Sequence, residues 1–450
     1  MKEVKNLILV VVAAAFFIVL FAVSRDYAGQ VKEENAGSIN KSVIGQYGES
    51  GSKNGTAQDV QVENLIENMV GESISSDISV IVTGDILMQD EQFNSAYDED
   101  DDSFDFTPWF KYMGDIYSGA DYTAGVLKTT FAGKNNGAAV NYGGYGISNN
   151  KSNTPEDLAE TLKDYGFDML ADATNHSLDC GTDGLFSTIS VLDKYGLSHI
   201  GTAAAKDDVT VSVQTIDKIK VGFVSYTNSS NVDIPTGYEY VLDCLDNYSA
   251  AGIKELTQDI QSLKSDSGAD LVIAFINFGS VHSDKIEDDQ RSLAQKAAEA
   301  GADVIVGTGS TTVKPMEILT VDTGNGSSRS CLVFYGMGAI LSSETCSSTL
   351  DEGADADIGA AIELNISLRS NGKAYVSSFR FIPVYLAWVD GVLTPVPLST
   401  AVNTGDYLSF LSDNDVVRIN KVNGTILSRF TGDTGLEYSV SGSGYLYYMP

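Results

Sequence analysis

The sequence predicts an α/β domain that turns antiparallel toward its end, and three observations carry that prediction. Short apolar runs of strand type alternate with stretches of helical period between residues 76 and 306. Beyond residue 316 the pattern changes to strand–turn–strand. A chain of 450 residues, 43% hydrophobic, has apolar surface for one large core plus appendages.

Taken in order, Leu7 to Val23 reads LILVVVAAAFFIVLFAV, with Lys2 and Lys5 before it and Arg25-Asp26 after it. As a helix it spans about 26 Å, close to a hydrocarbon core. The run exceeds the usual apolar region of a secretory signal, so residues 7–23 are expected to anchor the chain in a membrane. The preceding lysines put residues 1–6 in the cytoplasm and the bulk of the chain outside. Cleavage near Ala22-Val23-Ser24, which would release a secreted domain, is the alternative. Residues 24–75 are polar and rich in Gly, Ser, Asn, Glu and Lys, and read as a flexible linker.

Within 76–390, strands are expected at Ile78–Thr83, Phe167–Ala173, Lys220–Tyr226, Asp270–Ile276 and Asp303–Val306. Helices are expected from Thr154-Pro155-Glu156-Asp157 to Gly166, and over Gly181–Tyr195, Ser249–Ser265 and Asp288–Ala300. Such alternation calls for a parallel or mixed sheet covered on both sides. Met316–Asp322 with Arg329–Tyr335 then reads as a strand pair, as does Ala360–Leu368 with Lys373–Phe381 across Ser370-Asn371-Gly372. Residues 391–450 read as a small β-rich extension with a turn at Val422-Asn423-Gly424-Thr425.

Lys and Arg total 28 against 61 Asp and Glu, a formal net charge of -33. Such a surface repels phosphate backbones and argues against a nucleic-acid partner. Cys180, Cys244, Cys331 and Cys346 form no CxxC pair, which argues against a zinc ribbon or redox motif and leaves disulfide pairing open. The acidic runs Asp98–Asp102 and Asp351–Asp357 read as solvated loops rather than calcium sites. Gly143-Gly144-Tyr145-Gly146 lies outside a strand–helix dinucleotide context, and Ser310 lacks a nucleophile elbow. Tyr445-Leu446-Tyr447-Tyr448 reads as the finishing strand of a sheet.

In open α/β sheets chemistry gathers at the carboxyl ends of strands. Five such loops carry Asp85, Lys128, Asn175-His176, Asn277-Phe278-Gly279 and Thr308-Gly309-Ser310-Thr311. On its own, His176 reads as a hydrogen-bonded turn residue with Asp179 accepting from its ring.

The order of these loops resembles the CapA-type capsule or poly-γ-glutamate synthesis proteins, whose domain is similar to a calcineurin-like metallophosphoesterase. Gly84-Asp85, Thr174-Asn175-His176-Ser177-Leu178-Asp179-Cys180-Gly181 and Ala300–Gly307 carry the likeness, with Pro315-Met316-Glu317 and Tyr335-Gly336-Met337-Gly338. The resemblance covers roughly 76–390 and implies an αββα sandwich of mixed sheets flanked by helices. Four departures stand against it. The family's Asn-Leu-Glu is Val126-Leu127-Lys128, and its His-Trp-Gly-x-Glu is Asn277-Phe278-Gly279-Ser280-Val281. Its Gly-His-His-Pro-His is Gly307-Thr308-Gly309-Ser310-Thr311, and its Gly-Asn-Phe is Gly338-Ala339-Ile340.

A two-metal hydrolytic centre needs several carboxylates and imidazoles. Asp85, Asn175 and His176 remain as catalytic remnants and as ligands for at most one divalent ion such as Mn or Zn, with His282 the only further imidazole near. No metal cofactor is therefore expected, and Lys128 is expected to stand beside Asp85. The resulting expectation is a membrane-tethered, non-catalytic surface protein whose partner is a cell-envelope polymer or a polymer-assembly membrane protein. The alternative is a hydrolase or transferase acting on an amide or phosphoester through a one-metal site. A third reading has a small ligand held by Lys128, His176, Asn277, Thr308 and Thr311.

Overall fold

A computed structural model describes residues 74–449 except 137–139, 280–282, 325 and 344–354. The chain opens with β1 (Ile74–Leu87), α1 (Asp90–Ala96), the ribbon β2 (Tyr97–Asp98) and β3 (Ser103–Phe104), α2 (Gly114–Ser118) and β4 (Tyr122–Lys128). A second ribbon, β5 (Gly146–Ser148) and β6 (Lys151–Asn153), precedes α3 (Asp157–Asp164), β7 (Met169–Ala171), α4 (Gly181–Tyr195) and β8 (Ser198–Ile200). Then come β9 (Ser212–Ile216), β10 (Ile219–Thr227), α5 (Ala250–Ser265), β11 (Leu271–Asn277), α6 (Asp288–Ala300) and β12 (Val304–Thr308). The hairpin β13 (Met316–Gly324) and β14 (Ser327–Phe334) leads to β15 (Ala339–Leu341), β16 (Ile358–Arg369), β17 (Ala374–Val389) and β18 (Val392–Pro397). Last are α7 (Leu398–Asn403), α8 (Asp413–Thr431), β19 (Tyr438–Ser441) and β20 (Gly444–Tyr448).

These strands make two mixed sheets. The larger runs β19-β20-β17-β16-β1-β4-β7-β8, with β15 also on β1 and β18 on β17; the smaller runs β13-β14-β12-β11-β10-β9. Strands β1, β4, β7 and β8 are parallel, as are β10, β11, β12 and β14.

Alternation along each strand sorts side chains into layers. Ile78, Val80 and Val82 of β1 share one core with Phe223, Phe275, Val306 and Phe334 of the smaller sheet. Ile81, Leu127 and Leu170 point the other way, onto Leu158 and Leu162 of α3 and Leu192 of α4. The far side of the smaller sheet sets Val224, Ile276 and Ile305 against Leu256 and Ile260 of α5 and Leu293 of α6. The central strands are thus apolar on both faces, which is why the sequence shows continuous rather than alternating apolar runs. Helix ends follow local rules: the Ser249 side chain accepts from the Gly252 N–H at 3.1 Å, and α4 ends on left-handed Gly196.

Three expectations need correction. Strand β1 begins at Ile74, so the last two residues given to the linker belong to it. Helix α3 begins at Asp157, with Glu156 at its N-cap position, so Thr154 and Pro155 at the head of the expected helix lie outside it. The segment 391–450 is not β-rich, because the 19-residue helix α8 runs through the expected turn at Asn423-Gly424. Ser412 and Asp415 form a capping box, and Ile419, Val422, Ile426, Leu427 and Phe430 are buried at helical spacing. Phe430 stacks on Phe381 at 3.8 Å between ring centres. Packing of that face overrides the Asn-Gly turn preference. Strand β20, with Tyr445 and Tyr447 buried, pairs with β17 and extends the larger sheet.

Among the described residues no helix is long and apolar enough to cross a membrane. The run Leu7–Val23, with all of 1–73, lies outside them.

Candidate functional site at the strand ends

Parallel strands β1 and β4 deliver Asp85 and Lys128 to the same edge. The register of β1 against β4 slips between Val82 and Asp85, a bulge that re-aims the carboxylate. Gly84 permits it, because a Cβ there would collide with the Gly338 carbonyl, whose oxygen accepts from the Asp85 N–H at 2.9 Å. Asp85 is 1% exposed and Lys128 2%. The Lys128 Nζ lies 3.1 Å from Asp85 Oδ2, and the Gly309 N–H donates to the same oxygen at 3.3 Å. Among the described residues Oδ1 finds no partner. Burial pushes the Asp85 carboxyl above the ordinary range; Lys128, Gly309 and His176 pull it back only in part.

A second set of contacts joins the next loops. The Asn277 Nδ2 donates to Asn175 Oδ1 at 3.2 Å, and the Asn175 Nδ2 donates to Asn231 Oδ1 at 3.0 Å. The Asn231 amide stands 3.4 Å from His176 Nδ1, which lies 2.8 Å from Asp179 Oδ2; that oxygen also accepts the Ser152 N–H at 2.8 Å. Asp179 as the ring's partner matches the plain reading of His176. The amide chain reserves one ring nitrogen and the Asn175 and Asn231 carbonyls for protein contacts. Gly309, at φ +82, comes so close to Asn277 Oδ1 that a Cβ would collide with it.

The expected residues therefore fall into two contacting groups: Asp85 with Lys128, and His176 with Asn175 and Asn277. Thr308 and Thr311 are buried in the adjoining loop. Ser310 donates to the Thr312 carbonyl at 3.0 Å, a structural role. His282 and Cys346 lie outside the described residues; Cys244 and Cys331 are free thiols. Two participants were not foreseen. Asn231 sits in a loop with no motif around it, and the Gly309 N–H is a backbone group invisible to residue type. The neighbouring strand end adds buried Asp172, pushed up to about 6 by burial against the pull of His199, and Asp243, pushed up to about 8 by burial with Asp259 and Asp172 nearby.

The acidic run ending at Asp357 also departs from expectation. Asp355 and Asp357 are buried, not solvated: Arg418 of α8 grips Asp357 with two bonds of 2.7 Å and Asp355 at 2.5 Å. The other run fits its reading, since Asp98 to Asp102 form the exposed tip of a ribbon.

The metal that the resemblance implies does not fit the donors at this edge. An ammonium stands against the one central carboxylate, two amides are committed to each other, and hydroxyls replace imidazoles. Among the described residues no three His, Cys, Asp or Glu side chains converge.

Geometry thus defines a mixed α/β fold of two sheets flanked by helices, with polar groups gathered at the strand ends. The sequence model described as "Bacterial capsule synthesis protein PGA_cap" matches residues 79–344, more than half of the chain, and the chain belongs to that family. It is 23% identical over 247 residues to the PGA biosynthesis protein CapA of Bacillus subtilis (strain 168), covering 54% of this chain and 58% of that protein. It is 23% identical over 227 residues to the capsule biosynthesis protein CapA of Bacillus anthracis, covering 49% and 48%. An uncharacterized protein, y4sH of Sinorhizobium fredii, is 27% identical over 132 residues, 28% of this chain and 25% of that one. The chain spans about half the length of the two CapA proteins it matches.

Proposed function

We propose that this protein is a membrane-anchored, extracytoplasmic CapA-like protein that serves the making or display of a cell-envelope polymer, of the capsule or poly-γ-glutamate kind, without catalysing a reaction. The observation that carries the reading is the buried contact between Lys128 and Asp85. An ammonium at that place supplies the positive charge that a carboxylate would otherwise take from a divalent cation, and it repels such a cation. Membership of the capsule-synthesis family supports the polymer context. The anchor rests on the apolar run Leu7–Val23, with the preceding lysines favouring an outward-facing domain.

With the catalytic ions gone, the strand-end loops keep their architecture as a surface for a partner, namely the polymer or a membrane protein that assembles it. A net charge of -33 favours the protein partner. Complementation tests the reading. In cells lacking this protein, the His176→Ala chain is expected to restore polymer output as fully as the original chain. Metal-stimulated turnover of a generic phosphodiester or amide by the purified chain, lost in His176→Ala, would replace this reading with that of a one-metal hydrolase.

A further inference from the structure

The loop between β10 and α5, residues 228–248, touches the Asn175–His176 edge with one limb and is fastened to the sheets by the other. Its first limb carries Asn231, whose N–H donates to the Asn175 carbonyl at 2.8 Å and whose side chain completes the amide chain described above. On the second limb the Asp243 N–H donates to the Gly201 carbonyl at 2.9 Å, and the Ala203 N–H donates to the Val241 carbonyl at 3.1 Å. The Leu245 N–H donates to the Thr227 carbonyl at 2.8 Å. Val241 and Leu242 pack with Leu178, just before α4, and Leu185 within it. A loop of this length, with one 3-10 turn at Glu239–Val241 as its regular structure, is of the kind that serves as a lid.

Asp243 lies in the fastened limb and turns its carboxyl inward. Its Oδ2 is buried and has no partner among the described residues. The charges acting most strongly on it are negative: Asp259 and Glu255 of α5, and Asp172 at the end of β7. The Tyr226 hydroxyl of β10 donates to Asp259 at 2.7 Å, and the Thr202 hydroxyl donates to Asp172 at 2.5 Å. The basic side chains of the adjoining segments are turned elsewhere. His199 of β8 stands 3.9 Å from Asp172, and Lys206 lies over the Tyr240 ring. The Thr210 hydroxyl favours the charged form, but burial, and then the neighbouring carboxylates, push the Asp243 carboxyl up to about 8. A protonated carboxyl fits this seam; a carboxylate there is a buried charge among others of its own sign.

We propose that residues 228–248 form a proton-operated latch over the Asn175–His176 edge, shut while Asp243 keeps its proton and released when Asp243 ionises. Once the limb lifts into water, the carboxyl returns toward its ordinary value of 3.8. The contribution to closure is therefore complete below that value, declines as pH rises, and is gone above about 8. Lifting the limb withdraws Asn231 and exposes the edge. Its use in admitting a partner rests on the reading of that edge given above, whereas amide exchange in the chain alone tests the latch whether or not a partner exists.

Hydrogen exchange of the full chain, each amide rate divided by that of the unstructured peptide at the same pH, is the test. The protection of the Asn231, Asp243 and Leu245 amides should fall about tenfold for each pH unit from 5 to 7, the fall that one retained proton sets. It should stay below the protection of the Ile273 and Phe275 amides in β11. Asp243→Asn, which has no charge to gain, should flatten the fall, and Asp246→Asn, on the exposed part of the same loop, should keep it. The latch is overturned if the protection is equal at pH 5 and 7 in the unsubstituted chain, or if these amides exchange only as fast as those of β11. It is also overturned if Asn231 keeps its protection while Asp243 loses it, or if Asp243→Asn shows the full fall.

Discussion

Arg418 and Lys128 both neutralise buried carboxylates, but Arg418 closes a network while Lys128 covers half of one group. The Arg418 guanidinium forks onto Asp357 and reaches Asp355, and Arg429 takes the other oxygen of Asp355 at 2.9 Å. That arrangement spreads two carboxylates over two cations and ties α8 to the start of β16. At the strand ends a single ammonium meets one oxygen of Asp85, the other oxygen has no partner among the described residues, and burial keeps the carboxyl above its ordinary range. The comparison separates an ion pair that fastens elements together from one that the fold tolerates at a cost in desolvation. That cost fits the proposal that this edge serves binding rather than stability.

Breaking the tighter-buried pair is the largest test of this contrast. Lys128→Met leaves Asp85 buried and uncompensated, and should lower unfolding stability by about 3–5 kcal/mol in a urea titration. Combining it with Asp85→Asn removes both charges and should recover most of the loss; a double variant no better than Lys128→Met would mean that the pair is not coupled.

Acidity has a smaller effect with a definite sign. Asp172 at about 6 and Asp243 at about 8 hold their protons in the folded chain above the ordinary carboxyl value of 3.8. Their contribution is complete below that value and is lost as pH rises through 6 and then 8. Between those limits each retained proton contributes a slope of about 1.4 kcal/mol per pH unit against the folded state. The urea midpoint should therefore fall from pH 5 to pH 7.5, and Asp243→Asn should flatten the decline.

Arg418→Ala should cost about 2 kcal/mol near neutral pH, because the half-open network leaves water to resolvate Asp357. Gly424→Ala should have the smallest effect, a gain of about 1 kcal/mol in thermal unfolding, since a Cβ there meets open space in mid-helix. A loss of stability in that variant would restore the turn at Asn423-Gly424.

The difference between these two regions also marks what could be read in advance. Strands with continuous apolar runs and helices with caps, such as Gly181–Tyr195 and Asp288–Ala300, were legible because local pattern and burial agree there. The meeting of Lys128 with Asp85 followed from a cation standing where the family carries Glu. Asn231 was not legible, since its place depends on a loop closing across the site. Helix α8 was missed because the Asn-Gly signal is local, whereas the stacking of Phe430 on Phe381 joins distant parts of the chain. Asp355 and Asp357 looked solvated for the same reason, their arginines lying 61 to 74 residues further on.

Elemental analysis of the purified full chain, after exposure to Mn, Fe and Zn and removal of loose ions, addresses the proposed role of the Asp85 edge most directly. If Lys128 stands in for a cation beside Asp85, none of these metals is retained in stoichiometric amount. One or more ions held per chain, and lost in Asp85→Asn, would contradict the account.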